Sequence, residues 1–186
     1  YPENDFVDFK REPLLEQRLS DKGPFVSQGD LNADGLSDFF VGGSTGNSAT
    51  IFFQNAQKKF TAVQQKCFLD DKHFEDAGSA IFDIDRDGDL DILTASGGYE
   101  YDINSKSYAL RLYLNNGKGT FEKSKQILNL KTNASELKLA DMDNDGDMDV
   151  FVAGHALPFR FPYAASSLLL MNDKGILKNV SNRLPE

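Results

Sequence analysis

The chain contains few of the residues that build disulfide-bonded or membrane-spanning structures. It has one cysteine, two histidines and no tryptophan among 186 residues. Because a disulfide needs two cysteines, an internal disulfide framework is excluded, and we expect Cys67 to be a packed thiol. No apolar run approaches the roughly 18 residues that a membrane-spanning helix requires. Lysines and arginines are scattered along the chain, which argues against nucleic-acid binding.

The sequence also lacks the common signatures of catalysis. It contains no nucleophile elbow, P-loop, dinucleotide-binding fingerprint or Cys/His zinc spacing. Glu100 and Asp102 could act as paired carboxylates in glycoside hydrolysis, although two acidic residues in a loop are usually solvated. We therefore expect a protein that is not an enzyme, and a carbohydrate-processing enzyme remains the alternative.

A nine-residue acidic pattern occurs three times. Aspartate or asparagine stands at positions one, three, five and nine, glycine stands at position six, and an apolar run follows. A hard cation such as Ca²⁺ takes roughly six to eight oxygen ligands, and alternate carboxylates together with the carbonyl of position seven would supply most of them. The sequence thus predicts about three Ca²⁺ sites. The expected ligands are Asp30, Asn32, Asp34, Leu36 and Asp38 in loop 1, Asp83, Asp85, Asp87, Asp89 and Asp91 in loop 2, and Asp141, Asp143, Asp145, Asp147 and Asp149 in loop 3.

These loops differ from an EF-hand, which closes with a bidentate glutamate at position twelve and is flanked by helices. Position twelve holds Val41, Thr94 and Val152, and the residues that follow each loop are β-branched or aromatic, as in strands. The loops therefore close at position nine. The alternative is a set of solvated aspartate-rich turns, but five carboxylates within nine residues would repel each other strongly without a cation.

The acidity of the chain is concentrated in these loops. The net charge is −9, from 29 acidic and 20 basic residues, while the loops hold thirteen aspartates and one arginine, a net −12. The rest of the chain is therefore +3, so the low isoelectric point is not evidence for a diffuse acidic surface that attracts basic partners.

Strand-like segments surround each loop in a repeating unit. One strand leads into the loop, a second leaves it, and a third and a fourth are joined by a polar turn. The first aspartates of the loops are 53 and 58 residues apart, which fits propeller blades of roughly 40–50 residues with longer connections. We predict an all-β fold of four-stranded antiparallel blades. Residues 24–77, 78–134 and 135–186 form the blades, and residues 1–23 form a lead-in from a preceding blade or linker.

The loops resemble the FG-GAP or VCBS repeats that form the propeller of integrin α subunits and of many secreted bacterial proteins, with Asn32 the one departure from the pattern. Residues 7–15, 111–117 and 159–162 are similar to bacterial relatives of cartilage acidic protein. The resemblance implies about three blades of a seven-bladed propeller, with Ca²⁺ between the first and second strands, acting in cell adhesion or recognition. Because three blades do not close a ring, we expect the remaining blades or another chain at the open edges.

The connections between the second and third strands of the last two blades are aromatic and should lie on the face opposite the loops. Tyrosine and arginine give a large contact area at low entropic cost, so these connections are candidate sites for a protein or glycan ligand. The alternative is that Phe159 and Phe161 fill the space between blades and that the tyrosines cover it. The candidate ligand residues are Tyr99, Tyr101, Tyr108, His155, Phe159, Arg160 and Tyr163.

The expected function is that of a calcium-binding recognition or adhesion module located outside the cell, at the cell surface or in the periplasm, where weak calcium sites are filled. A purely structural spacer in a surface protein is a further alternative. The first residues include no initiator methionine and no signal-peptide pattern, so we expect a segment of a longer, secreted protein.

Overall fold

Short runs of β-branched and aromatic residues form twelve strands in the part of the chain that the structure describes, and Asn-Gly or Lys-Gly turns join the last two strands of blades 2 and 3. The computed structural model of the protein describes residues 2, 5–20, 22–126 and 129–185. Residues 1, 3, 4, 21, 127, 128 and 186, which fall within the predicted lead-in and the last two predicted blades, lie outside the described residues. None of the helices in the described ranges has the length and apolar character needed to cross a membrane.

The strands form three four-stranded antiparallel sheets, in each of which strands adjacent in sequence are paired. Blade 1 contains β1 (Val26–Gly29), β2 (Asp38–Val41), β3 (Thr50–Gln54) and β4 (Phe60–Val63). Blade 2 contains β5 (Asp76–Phe82), β6 (Asp91–Ser96), β7 (Arg111–Asn115) and β8 (Phe121–Lys123). Blade 3 contains β9 (Ala134–Ala140), β10 (Asp149–Gly154), β11 (Leu168–Asp173) and β12 (Ile176–Asn179). Short 3-10 turns occur at Asp8–Lys10, Lys106–Tyr108 and Ser181–Arg183.

The predicted all-β fold of four-stranded blades is confirmed, and the three sheets do not close into a ring. One element was not predicted: α1 (Lys66–Asp70) joins blade 1 to blade 2 and buries Phe68. Cys67 lies half-buried on this helix. Burial raises the pKa of its thiol to about 11, which favours the protonated form.

Two hydrophobic cores hold the blades together, and alternate residues of β6 contribute to both. Ile92 lies in the core between blades 1 and 2 with Phe40, while Leu93 lies in the core between blades 2 and 3 with Val150. All four side chains are fully buried. Because successive side chains of a strand point to opposite faces, blade 2 is covered on both of its faces.

The first strands of the blades lie side by side where the sheets converge. The hydroxyl groups of Ser27 in β1 and Ser79 in β5 are 2.6 Å apart. A Cβ at Gly78 of β5 would lie 3.2 Å from the backbone nitrogen of Leu137 in β9. This close approach of inner strands is the arrangement expected around the axis of a propeller.

Residues 5–20, here called the N-terminal strap, pack on blades 2 and 3. Leu15 and Leu19 are buried against Tyr99, which belongs to the connection between β6 and β7. Asp8 and Ser20 hold the two parts of the strap together through a hydrogen bond of 2.7 Å. The strap therefore covers the strand connections at the end of the blades opposite the acidic loops.

Candidate functional site

The three acidic loops share one backbone conformation. Position four has a left-handed φ of 58° to 61° in all three loops, at Ala33, Arg86 and Asn144. The glycine at position six also has a positive φ, between 83° and 94°, and glycine accepts such angles without strain. The N–H of this glycine donates to the carboxylate of position one at 2.8–3.1 Å. Each loop is thereby wrapped around its own acidic side chains.

The aspartate at position nine joins each loop to the third strand of its blade. Asp91 is buried and accepts hydrogen bonds from the backbone N–H of Ile84 at 3.2 Å and of Asn115 at 2.8 Å. Asp38 and Asp149 have equivalent donors in blades 1 and 3. Burial raises the pKa of Asp91 to about 6 even though these two N–H groups oppose the change. A buried carboxylate in this environment is stabilised in its charged form by a cation.

Loops 2 and 3 each bring three carboxylates together. The two clusters are Asp83, Asp85 and Asp91, and Asp141, Asp143 and Asp149, and within each cluster one oxygen per residue lies within 4.8 Å of the others. In the described part of the protein, Oδ1 of Asp83 and Oδ1 of Asp141 are buried and have no hydrogen-bond partner. A buried acceptor left unpaired costs about 1–3 kcal/mol. An all-oxygen ligand set with an unpaired buried oxygen fits a hard divalent cation.

Loop 1 is a weaker candidate for metal binding. Both oxygens of Asp30 accept backbone hydrogen bonds, from Asp34 at 3.1 Å and from Gly35 at 2.8 Å. The side-chain amide of Asn32 donates to Asp34 at 3.2 Å, so it partly replaces a cation. Loop 1 thus satisfies more of its own acceptors than loops 2 and 3 do.

Position seven has a role that the sequence did not reveal. We expected its backbone carbonyl to be a Ca²⁺ ligand, but the side chain of Asp147 is buried and forms an ion pair of 2.5 Å with Arg86 of loop 2. Asp147 also accepts a hydrogen bond of 3.0 Å from the backbone N–H of Lys174. Arg86 further donates to the carbonyl of Asp145 at 3.0 Å. One side chain of loop 2 therefore bonds to loop 3 at two points.

A second connection between neighbouring loops comes from asparagine side chains at the ends of the third strands. The amide of Asn115 donates to the carbonyl of Leu31 in loop 1 at 2.9 Å, and that of Asn172 donates to the carbonyl of Ile84 in loop 2 at 2.9 Å. Both asparagines lie where the third strand of a blade meets the polar turn, and the sequence indicated only the turn. Because the two asparagines occupy the same position in the repeat, a shared structural role could have been inferred from the sequence.

The candidate ligand residues at the opposite end of the blades differ widely in exposure. Tyr99 and Tyr108 are 0% and 1% exposed, and burial raises the pKa of both hydroxyl groups. The side chains of Tyr101, His155 and Phe159 are half-buried, whereas those of Arg160 and Tyr163 are exposed. The structure therefore leaves two of the seven candidates open to solvent and packs two others fully inside the protein.

The N-terminal strap covers part of this face and bonds to it through two charged side chains. The carboxylate of Glu12 accepts hydrogen bonds from the hydroxyl of Tyr99 and, at 2.9 Å, from the backbone N–H of Phe161. The guanidinium carbon of Arg11 lies 4.7 Å from the centre of the Phe159 ring. That ring meets Tyr99 edge-on, with centroids 5.6 Å apart.

A buried network of charged residues lies between blades 1 and 2. The guanidinium of Arg111 is 3% exposed and forms an ion pair with Asp76. Arg111 also donates to the hydroxyl of Tyr113 at 3.2 Å, and that hydroxyl donates to Asp71 at 2.8 Å. Asp71 forms a further ion pair of 2.7 Å with Lys123. These contacts cross between α1 and the strands of blade 2, so they fix the position of the helix.

The carboxylates considered for glycoside hydrolysis lie in the connection between β6 and β7. Glu100 accepts a hydrogen bond of 2.8 Å from the backbone N–H of Tyr99, and Asp102 is exposed.

Four-stranded sheets with converging inner strands, each carrying an acidic loop between its first two strands, define a propeller-type repeat protein. The model of the FG-GAP-like repeat family matches residues 30–94 and residues 83–152. The two matches together span more than half of the chain, and each begins at the first aspartate of a loop. The chain therefore belongs to the FG-GAP-like repeat family. No curated protein matches it, and the narrower similarity to relatives of cartilage acidic protein stays a prediction.

Proposed function

We propose that the protein is a non-catalytic module that binds Ca²⁺ in its acidic loops and recognises a protein or glycan outside the cell. The observation that supports the metal sites is the pair of buried, unpaired oxygens on Asp83 and Asp141, each within a cluster of three carboxylates. Loop 1 would bind Ca²⁺ more weakly, because the carboxylate of Asp30 already accepts two hydrogen bonds.

Bound Ca²⁺ would act on stability and position. It would offset the repulsion among carboxylates that a short turn holds together, so binding free energy would add to folding free energy. Loops of this kind with exposed acidic residues suit the millimolar calcium concentrations outside cells. We accordingly assign the protein to the cell surface, the extracellular space or the periplasm.

Thermal unfolding with calcium and with a chelator tests the metal sites. In about 5 mM Ca²⁺ we expect the unfolding midpoint to rise by roughly 10 °C over that in chelator, since two sites with dissociation constants of about 0.1–1 mM add about 1–2 kcal/mol each. The double variant Asp83→Asn/Asp141→Asn should lose most of this rise. Asp70→Asn, which changes an exposed aspartate on α1, is the matched control and should keep it. A rise below about 2 °C in the unmodified chain would show that the loops are acidic turns without a metal.

The recognition role is supported by the exposed Arg160 and Tyr163, which stand on one turn beside the strap. Both residue types are common at binding surfaces. The carbohydrate-processing alternative stays a prediction, and hydrolysis of a glycoside that disappears in Glu100→Gln would support it.

A further inference from the structure

One carboxylate of the strap, that of Glu12, accepts hydrogen bonds from two different blades. Glu12 is bonded by the hydroxyl of Tyr99, from the β6–β7 connection of blade 2, and by the backbone N–H of Phe161, from the β10–β11 connection of blade 3. Tyr99 is fully buried, and its hydroxyl lies between the carboxylate of Glu12 and the carbonyl of Leu157, which is 3.1 Å away. Two fixed donors aimed at one point make a specific site for a carboxylate, because charge-assisted hydrogen bonds are the strong ones.

A site for a cation lies beside the two donors that bind the carboxylate of Glu12. The guanidinium of Arg11 is 4.7 Å from the centre of the Phe159 ring, within the range of a cation–π contact. The edge-on contact of Phe159 with Tyr99 places the two sites next to each other. The face therefore accepts a positive side chain followed directly by a negative one.

The strap is attached in a way that allows it to leave without breaking a sheet. Among the described residues, its backbone–backbone hydrogen bonds are all internal and join Lys10 to Val7, Arg11 and Glu12 to Asp8, and Leu15 to Glu12. Its apolar contacts with the blades come chiefly from Leu15 and Leu19. Segments held mainly by side chains open at a lower free energy than strands paired in a sheet.

We propose that Tyr99, Phe159 and Phe161 form a recognition site for a peptide of another protein that carries arginine followed by glutamate at the end of a turn, as Arg11 and Glu12 are placed in the strap. The strap fills this site within the chain and blocks it until such a peptide displaces the strap. This inference rests on the recognition role proposed above and names the partner chemistry for it. It does not depend on metal binding, because the site lies at the end of the blades away from the acidic loops.

A fluorescent synthetic peptide with the sequence of residues 5–20 tests the site. The full chain with Leu15→Ser and Leu19→Ser, here called the loosened chain, should bind its own strap weakly, while the site residues Tyr99, Phe159 and Phe161 are unchanged. We expect this chain to bind the peptide at least about tenfold more tightly than the unmodified chain, in which the strap competes. A peptide in which glutamate is replaced by alanine should bind the loosened chain about tenfold more weakly, because it loses charge-assisted hydrogen bonds.

Substitutions of single aromatic residues distinguish specific recognition of the peptide from non-specific adhesion. In the loosened chain, Tyr99→Phe removes one donor to the carboxylate and should weaken peptide binding, whereas Phe60→Tyr adds a hydroxyl to a ring of β4 that is 43% exposed, in blade 1, and should not. Equal binding of the glutamate and alanine peptides, or no binding to a loosened chain that is still folded, would overturn the inference.

A second measurement uses the unmodified chain, so that it does not depend on how the loosened variant folds. Excess peptide should increase hydrogen exchange of the strap amides, and unchanged exchange at saturating peptide would overturn displacement. The calcium-dependent rise in unfolding midpoint is measured separately. Its presence without peptide binding would refute this inference alone, and its absence would refute the proposed metal sites alone.

Discussion

Individual aspartates of the acidic loops have different tasks although the sequence gives them one spacing. Asp91 accepts two backbone hydrogen bonds and joins its loop to β7, so it is needed for the fold whether or not a metal binds. Asp83 and Asp141 each have a buried oxygen with no donor in the described part of the protein, so a cation would supply the partner that these oxygens lack. We therefore expect substitutions at position nine to lower the unfolding midpoint even in chelator, and those at position one to act mainly on the calcium-dependent rise in that midpoint.

His155 provides a prediction about pH. Burial, and then the charge of Lys22, lower the pKa of its imidazole below the ordinary value. Protonation is thus harder in the folded state than in the unfolded chain, whose histidine pKa is about 6.5. The stability that this neutral imidazole contributes is full above about pH 6.5 and is lost as the pH falls through the lowered folded pKa.

The measurement compares unfolding midpoints of the unmodified chain and His155→Gln in chelator from about pH 7.5 to pH 5. The advantage of the unmodified chain should shrink as the pH falls, because only this chain must protonate the buried imidazole. Because both proteins contain the same aspartates, the effect of aspartate titration cancels in the difference between their unfolding midpoints. His73→Gln, on the exposed turn after α1, is the control. A difference that stays constant over this range would contradict the lowered pKa.

The residue types and spacing of the metal candidates could be predicted from the sequence because all of them lie within nine residues. Their partners could not. Arg86 and Asp147 are 61 positions apart, and only the stacking of two blades brings them together. The burial of Tyr99 depends in the same way on the strap, which is distant in sequence and has no periodic pattern.

At the scale of elements, the loops form a connected row along one end of the blades. Asn115 and Asn172 bond each loop to the one before it, but the ion pair of Arg86 with Asp147 exists only between loops 2 and 3. At the corresponding position, loop 1 has Ala33. The equivalent acceptor in loop 2 is Asp89, which borders a cavity of about 220 Å³ next to Ala33.

This difference predicts opposite effects of two substitutions at position four. Arg86→Ala should destabilise the metal-free protein by about 1 kcal/mol, a value kept small because the arginine is half exposed. The loss should be smaller in calcium, because the metal then offsets part of the repulsion. Ala33→Arg should stabilise the metal-free protein by a similar amount through an ion pair with Asp89. The φ of 58° at this position is close to the 61° that Arg86 already adopts, so no new strain is expected.

Unfolding midpoints in chelator and in calcium check both substitutions, with Ala33→Gln as a control for side-chain size. If Ala33→Arg and Ala33→Gln had the same effect, the predicted ion pair would be absent. If Arg86→Ala had no effect in chelator, the bond between loops 2 and 3 would contribute no stability.

The elements themselves were largely predictable because strands and hairpin turns depend on local sequence. The fourth strands begin at Phe60, Phe121 and Ile176, directly after the polar turns that the sequence indicated. β5 begins at Asp76, two residues before the predicted start of blade 2, because its first residues pair with the end of β6 beyond an irregularity in the ladder. The helix α1 was missed because it has only five residues, too few to show a helical period.

For the whole molecule, the decisive question is whether three blades unfold together or one at a time. In repeat proteins each unit contacts only its neighbours, so stability depends on the interfaces between units. Here blade 2 is covered on both faces, while blades 1 and 3 each share one core with it. Both cores contain fully buried side chains from the same strand, β6, which couples them directly.

Two neighbouring residues of β6 test this coupling, because Ile92 faces blade 1 and Leu93 faces blade 3. Truncation of either to alanine should destabilise the protein by about 2–5 kcal/mol, the range for large apolar side chains in a packed core. If the blades unfold together, each variant shifts one common transition in calorimetry and in circular dichroism. Leu14→Ala, which changes a side chain that is 85% exposed, is the control and should shift it little. A second transition that appears in only one of the two core variants would show that the blade on that side unfolds separately, and that β6 does not transmit stability from one core to the other.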